Sequence, residues 1–419
     1  MLLFLRCLKE KRYRTTPGAS FAWRKCYATF LTFMQTRIAV FISCCAIFAG
    51  HAQTPKQYRA ADFSTKTIYH SPQSPGYTSW VGCWLMPGGR LMVSFHQATG
   101  RLQGRYRTRK DVLRQLSWPP QGKPEYVNYD MAGLDLEVIH LASADNGLKW
   151  EQVSTEHAST PMNGWTCEPE VASEDGAIYR AVWGQYLPFY DVPQTGYWQR
   201  STDGGRTWSE PEVFFEESKW NSMPKRIRIL RDGRLVVAGG VIRRRSGPIT
   251  REDEAKLLEP AIWVSEDRGK HWSEPLLIWN DKSIRPSEEL DFAELPTGDL
   301  LAVIRVDAAK ARYQTVLRKT GKTWRPEPVR KLWIPHSGHP ELLNTREGIV
   351  LHLATDGIAW TADEGRSWAY LEGRPRTGYY PRSVQLPDGR IFCVYHIGGD
   401  NYYGQVDQRI AAISFRLKQ

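Results

Sequence analysis

Ser201-Thr202-Asp203-Gly204-Gly205-Arg206-Thr207-Trp208 lies midway along the 419-residue chain, and its pattern, Ser/Thr-x-Asp-x-Gly-x-x-Trp, returns three more times. The other copies are SADNGLKW at 143–150, SEDRGKHW at 265–272 and TADEGRSW at 361–368, with a shortened fifth, TGKTW, at 320–324. Each residue type has a physical task. The Asp carboxylate and the Ser/Thr hydroxyl accept from nearby backbone N–H groups and hold a tight turn. The Gly supplies a positive φ that other residues resist. The Trp is expected to pack its apolar surface on the hairpin it closes. One such octapeptide is an ordinary turn, whereas four in register are an architectural repeat.

A second element recurs between the boxes: an apolar strand, a Gly-containing turn and another apolar strand. It occupies 85–92, 171–178, 229–236, 295–301, 342–350 and 386–392, with Gly89, Gly176, Gly233, Gly298, Gly348 and Gly389 at the turns. Such turns between apolar runs are hairpin signals, and six of them imply six blades. The boxes fall between the hairpins as outer turns. The octapeptide resembles the Asp-box of the sialidase superfamily, whose fold is a six-bladed β-propeller. The resemblance covers roughly residues 60–419 and implies an all-β ring of four-stranded antiparallel blades. The final run, Ile410 to Leu417, is placed to close the ring against the N-terminal region. The insert from Arg101 to Gly133, rich in Arg, Pro and Tyr, reads as a surface loop of the first blade.

Residues 1–52 carry no repeat and read as a leader, with 53–419 as the propeller. From Met34 the chain has the layout of a secretion signal: Arg37, an apolar core from Ile38 to Phe48, and Gly50-His51-Ala52 as a small-x-Ala cleavage site. The expected start is Met34, the expected mature N-terminus lies near Gln53, and the destination is the periplasm or the medium. The apolar run is too short to span a bilayer, so no membrane span is expected once the signal is removed. The formal charge of +11 is largely a property of the leader, which holds eight basic residues and one acidic, leaving +4 for the remainder. That balance gives no support for nucleic acid as a partner. Beyond the leader only Cys83, Cys167 and Cys393 remain, neither a disulfide framework nor a zinc pattern. No cofactor and no metal is expected. A monomer acting on a glycan or polysaccharide is expected.

In a propeller, equivalent residues of each blade converge on the central axis. Counting nine residues back from each hairpin Gly gives Trp80, Cys167, Pro224, Glu289, His339 and Tyr380 at the starts of the innermost strands. Polar residues at a wet channel mouth need no role, but Glu, His and Tyr at repeat-equivalent positions are unusual for a purely structural ring. The sialidase resemblance assigns roles to some of them. Glu288-Glu289-Leu-Asp-Phe-Ala-Glu294, followed by Arg305 on the next strand, is similar to the family segment holding the Glu that activates the nucleophile and one substrate-binding Arg. Gly378-Tyr379-Tyr380-Pro381-Arg382 is similar to the segment with the nucleophilic Tyr, with Tyr380 the better match and Tyr379 the alternate. A phenol with pKa near 10 needs a neighbouring carboxylate to take its proton. The resemblance places the acid/base on a blade-one loop, at Asp130, with Asp135 as a structural neighbour.

Two departures stand against sialic acid as substrate. Where the family has its first carboxylate-binding Arg this chain reads Tyr77-Thr-Ser-Trp80-Val, and before the last box it reads Ala354-Thr355-Asp356-Gly357. Bidentate arginines supply much of the recognition of a sugar carboxylate. Arg382, His339, Trp80, Glu168, His396 and Asp400 complete the expected substrate contacts, the last two within a polar and aromatic segment, 396–408, before the closing strand. That segment serves equally well as a substrate loop or as a Gly-rich turn. The expected activity is an exo-acting, retaining glycoside hydrolase on terminal sugars. Two alternatives remain open: a non-catalytic sugar-binding propeller, and a lyase in which His339 or Tyr380 removes the proton beside a uronic carboxylate.

Overall fold

The computed structural model describes residues 57–419 except 75, 102, 116, 118, 120, 123–129, 158–169, 184–194, 217–218, 245–248, 337 and 398–407. After strand β1 (Arg59–His70) the chain builds one sheet after another. Blade one holds β2 (Tyr77–Leu85), β3 (Leu91–Thr99), β4 (Asp135–Ser143) and β5 (Glu151–His157). Blade two holds β6 (Glu170–Ala172), β7 (Ile178–Val182), β8 (Tyr197–Ser201) and β9 (Glu212–Val213). Blade three holds β10 (Trp220–Ile229), β11 (Leu235–Arg243), β12 (Glu259–Ser265) and β13 (Leu276–Leu277). Blade four holds β14 (Leu290–Glu294), β15 (Leu300–Val306), β16 (Ala311–Thr320) and β17 (Thr323–Pro326), with β18 (Arg330–Pro335) paired back on β16. Blade five holds β19 (Glu341–Asn344), β20 (Val350–Ala354), β21 (Gly357–Thr361) and β22 (Ala369–Tyr370). Blade six holds β23 (Tyr379–Gln385), β24 (Ile391–Ile397) and β25 (Arg409–Lys418), and takes β1 as its outermost strand.

The first strands of the blades neighbour one another in a closed circuit, β2–β6–β10–β14–β19–β23 and back to β2. The molecule is therefore a six-bladed β-propeller, closed by antiparallel pairing of β1 with β25 from Arg59↔Lys418 to His70↔Arg409. Each hairpin turn of the sequence joins strands one and two of a blade, and its Gly has φ between 80° and 86°. Such a value is strained for any residue bearing a Cβ. All the Asp-boxes, the shortened copy included, join strands three and four. Blade six has none because its fourth strand comes from the other end of the chain.

The core lies between blades rather than within them. An apolar cluster fills each of the six interfaces: Trp84 and Ile178 between blades one and two, Tyr179 and Trp263 between two and three, Val236 and Phe292 between three and four. Val303 and Leu342 seal four to five, Leu351 and Phe415 five to six, Phe95 and Val394 six to one. Middle strands such as LVVAGGVIR of β11 are buried on both faces, so they read as continuous apolar runs rather than alternating ones. The box tryptophans belong to this scheme. Trp150 meets Phe392 of blade six at 6.0 Å between ring centres, Trp272 meets Trp198 of blade two at 6.2 Å, and Trp368 donates to Gln314 of blade four at 2.7 Å. Each reaches the preceding blade, a partner beyond the hairpin on which the sequence placed it. Gly269 shows why its box needs glycine, since a Cβ there would lie 2.6 Å from the Trp198 ring.

The insert at 101–133 is more than a surface loop. It carries helix α1 (Lys110–Gln115), whose Val112 and Leu113 pack on a cluster of Trp183, Met223, Ile242, Ile249 and Leu258 from blades two and three. A second helix, α2 (Arg251–Leu257), is capped by Thr250 through a reciprocal bond with Asp253.

Candidate active site

The starts of the first strands gather at one end of the ring, and the backbone there is irregular in equivalent places. The pairing of β2 with β3 shifts between Ser79 and Val81, that of β10 with β11 between Pro224 and Arg226, and that of β23 with β24 between Tyr379 and Arg382. A bulge re-aims the side chain it carries. Two of these residues, Trp80 and Tyr380, adopt left-handed backbone with φ of 48° and 49°. For bulky aromatics that costs about 1–3 kcal/mol and persists only where the surroundings impose it. Tyr380 packs on the cluster of Tyr77, Trp80 and Met131, and Gly338 leaves room beside its ring.

The bulge in blade six delivers the Tyr380 hydroxyl to blade four, where it donates to Glu289 Oε1 at 2.7 Å. The other carboxylate oxygen of Glu289 accepts from Arg305 Nη1 at 2.7 Å, and Arg305 Nε donates to Asp307. Burial by itself would raise the Glu289 carboxyl. Arg305, then Lys225 and the Tyr380 hydroxyl, outweigh it and hold the group below the ordinary glutamate range. Arg305 is in turn held firmly charged, first by Glu289. Glu288 behaves oppositely. Burial pushes its carboxyl up against the pull of Lys225, whose Nζ lies 3.7 Å away and 3.8 Å above the Trp183 ring.

Beneath this layer runs a buried ionic network. Arg226 reaches Asp291 and Glu341, each at 3.2 Å, and Arg228 pairs with Asp291 at 2.8 Å. Glu341 Oε1 also accepts from Ser383 N and Oγ at 2.7 and 2.6 Å, tying blade five to blade six. Arg226, Asp291, Glu341 and Arg382 all stand seven residues before their hairpin glycines. The count that found the ring at nine would have found this second ring at seven, but a sequence alone does not distinguish solvated charges from buried ones.

The expected site residues thus fall into groups. Tyr380, Glu289 and Arg305 come together, with Trp80 packed beside the tyrosine. Arg382 and His339 lie deeper, only 3% and 2% exposed. Arg382 donates to Pro381 O at 3.0 Å and stands 3.8 Å from Glu341. His339 Nδ1 lies 2.6 Å from Pro340 O and so carries the proton, while burial, reinforced by Arg382, keeps the ring neutral. His396 is fully buried behind the tyrosines, its ring centre 5.7 Å from that of Tyr380 and its nitrogens close to Ser79 Oγ. Tyr379, 42% exposed, has its ring centre 6.0 Å from that of His396, tilted by 34°.

Asp130, expected as the acid/base, is 1% exposed with both oxygens engaged. Oδ1 accepts from Thr108 Oγ1 and Ala132 N, and Oδ2 from Arg107 Nε and Thr108 N. In this arrangement it ties the blade-one insert down. Asp135, expected at a strand start, opens β4. Cys167, Glu168 and Asp400 lie outside the described residues. Cys83 and Cys393 are buried free thiols, pushed up by burial.

Here a tyrosine hydroxyl donates to a carboxylate that a neighbouring arginine holds ionised, an arrangement through which a phenol can lose its proton. Comparison with known proteins bears on the fold. Residues 191–393 match the BNR repeat-like domain. A sialidase of Bacteroides fragilis (strain YCH46) is 24% identical over 229 residues, which span 46% of this chain and 39% of the relative's length. A Hadza microbial sialidase superposes with a TM-score of 0.53 at 18% identity, over 84% of this chain and 68% of that one. The α-L-arabinanase of Penicillium chrysogenum, complexed with arabinobiose, superposes with a TM-score of 0.58 at 15% identity, over 84% and 98%. Residues 191–393 are thus similar to a BNR repeat-like domain, part of the chain is similar to part of a sialidase, and the chain is built on a six-bladed propeller that superposes on a sialidase and an arabinanase.

Proposed function

We propose that this chain is an exo-acting glycoside hydrolase working by retention, with Tyr380 as nucleophile and Glu289 as its base. The 2.7 Å bond between them carries the reading. The Tyr380 oxygen attacks the anomeric carbon as its proton passes to Glu289, and the bond to the leaving-group oxygen breaks. Water then displaces the tyrosine from the sugar, giving one proton to the group that protonated the leaving group, while the proton on Glu289 returns to the phenolate. Arg305 keeps Glu289 ionised and oriented. Glu288, half-buried next to the pair and with its carboxyl pushed up by desolvation, is the candidate to protonate the leaving group, whereas Asp130 has its acceptor positions filled. The likeness to sialidases and to an arabinanase supports a glycan substrate.

Tyr380→Phe removes only the hydroxyl and should lower kcat by orders of magnitude while leaving sugar binding in place. Glu289→Gln should do the same, and the double variant should be little worse than either single one. Glu288→Gln should slow substrates with poor leaving groups more than activated aryl glycosides. Asp130→Asn should affect both classes alike. Full activity of both Tyr380→Phe and Glu289→Gln would remove the assignment.

A further inference from the structure

We infer that the sugar taken at this site is neutral, carrying no carboxylate. The inference rests on reading the site as a glycoside pocket, and it concerns charge at the mouth. Binding a sugar carboxylate in a buried site requires a cation not already committed to a protein carboxylate. Every cation on the first strands beneath the mouth is buried or committed. Lys225 is 7% exposed with its Nζ 3.8 Å above the Trp183 ring, Arg226 lies between Asp291 and Glu341, and Arg228 grips Asp291 at 2.8 Å. Arg382 is 3% exposed and turned to Glu341.

Arg305 decides the matter, because it is the one arginine that the sialidase resemblance would aim at a substrate carboxylate. Here its Nη1 is taken by Glu289 and its Nε by Asp307. Turning it toward a ligand would unpair the base and raise the very carboxyl it keeps ionised. An anionic sugar would therefore compete with the catalytic arrangement. Rim cations such as the exposed Lys310 are solvated point charges and add little.

The long stretches outside the described residues of the propeller bring no cation either. The three longest stretches outside the description, 158–169, 184–194 and 398–407, contain no Lys, Arg or His, and their charged residues are Glu168, Asp191, Asp400 and Asp407. A neutral sugar needs only hydroxyl partners and an apolar face for stacking, and Tyr379 beside the site is 42% exposed.

The test is a panel of aryl glycosides in two matched sets, neutral pentosides and hexosides against sialosides and glucuronides, assayed with the chain from Gln53. The expected result is turnover confined to the neutral set, with kcat/KM at least about a hundredfold above any carboxylated member. Comparable turnover of a sialoside or glucuronide, abolished by Tyr380→Phe, would overturn the inference while leaving the hydrolase reading intact. Should no glycoside be cleaved, the hydrolase reading fails and calorimetry with oligosaccharides decides the charge question. Binding of a neutral oligosaccharide that survives about 0.5 M salt upholds the inference. Binding restricted to carboxylated ones, or to none, overturns it.

Discussion

Several of the most buried polar side chains in this propeller are histidines, and they set its response to acid. His352, on β20, is fully buried against Trp368, and neither of its ring nitrogens has a hydrogen-bonding partner among the described residues. Burial, reinforced by Arg312, brings its pKa down to about 3. His96 and His339 are lowered well below the ordinary value for the same first reason. The unfolded chain takes up these protons near pH 6.5, whereas the folded chain refuses them until the pH is much lower. Stability should therefore fall as pH drops from about 6.5, by a few kcal/mol in all for a fully buried imidazole. His352→Leu removes one of these titrations and an unsatisfied polar group together. The melting temperature of that variant should equal or exceed the native value at pH 7, and its decline between pH 6.5 and 4 should be shallower. A steeper decline would contradict the assignment. Little of this was legible beforehand, since a histidine in a strand is a histidine in the sequence whether wet or dry. Glu289 and Tyr380 were legible because their spacing from the hairpin glycines repeats from blade to blade, and Arg305 through the sialidase resemblance.

At the level of the element, the Asp-box couples a local turn to a distant surface. Asp203 takes the N–H groups of Arg206 and Thr207 and the Thr207 hydroxyl, while Ser201 Oγ receives Gly205 N at 2.9 Å. These bonds hold the Asp203 carboxyl far below its usual range, with Thr207 first among the causes. The turn then aims Trp208 at the preceding blade, where it lies 6.1 Å from His140, while the guanidinium of Arg180 from its own blade sits 3.8 Å above its ring. Trp208 is only half-buried, so Trp208→Ala should cost about 2 kcal/mol, against about 3–5 for Trp263→Ala in the sealed interface of blades two and three. Urea melts of the two variants read the difference, and equal costs would mean that the box tryptophan is as central as the interface core. The turn itself was fully legible, because Asp, Gly and Ser act on their own backbone. The destination of the tryptophan was not, because it depends on the twist between blades. The insert after β3 was misread for a related reason: α1 is short, and its two apolar residues gain meaning only from the cluster they meet on blades two and three.

Across the whole molecule, closure of the ring joins the two ends of the propeller and makes the site possible. Tyr380 and Glu289 are 91 residues apart and meet only because blades four and six face one mouth. The closing strand β1 begins at Arg59, a few residues beyond the cleavage point expected near Gln53, so a chain processed there would keep the whole ring. We propose that the protein is exported and cut at that point. N-terminal sequencing of host-made protein should read from near Gln53, and a chain begun there should melt cooperatively. A chain begun after His70 should not, because it leaves the β25 edge bare. Equal melting of the two would show that closure is dispensable. The ring was legible from six hairpins and a final apolar strand; its interior charges were not. The most direct test of the central claim is to trap the sugar on the enzyme with a slow-turnover fluorinated glycoside from whichever class the chain cleaves, and to map the adduct by peptide mass spectrometry. The account predicts a covalent sugar on the peptide containing Tyr380, absent in Tyr380→Phe. A sugar carried by any carboxylate instead, or an active enzyme that is never labelled, would contradict it.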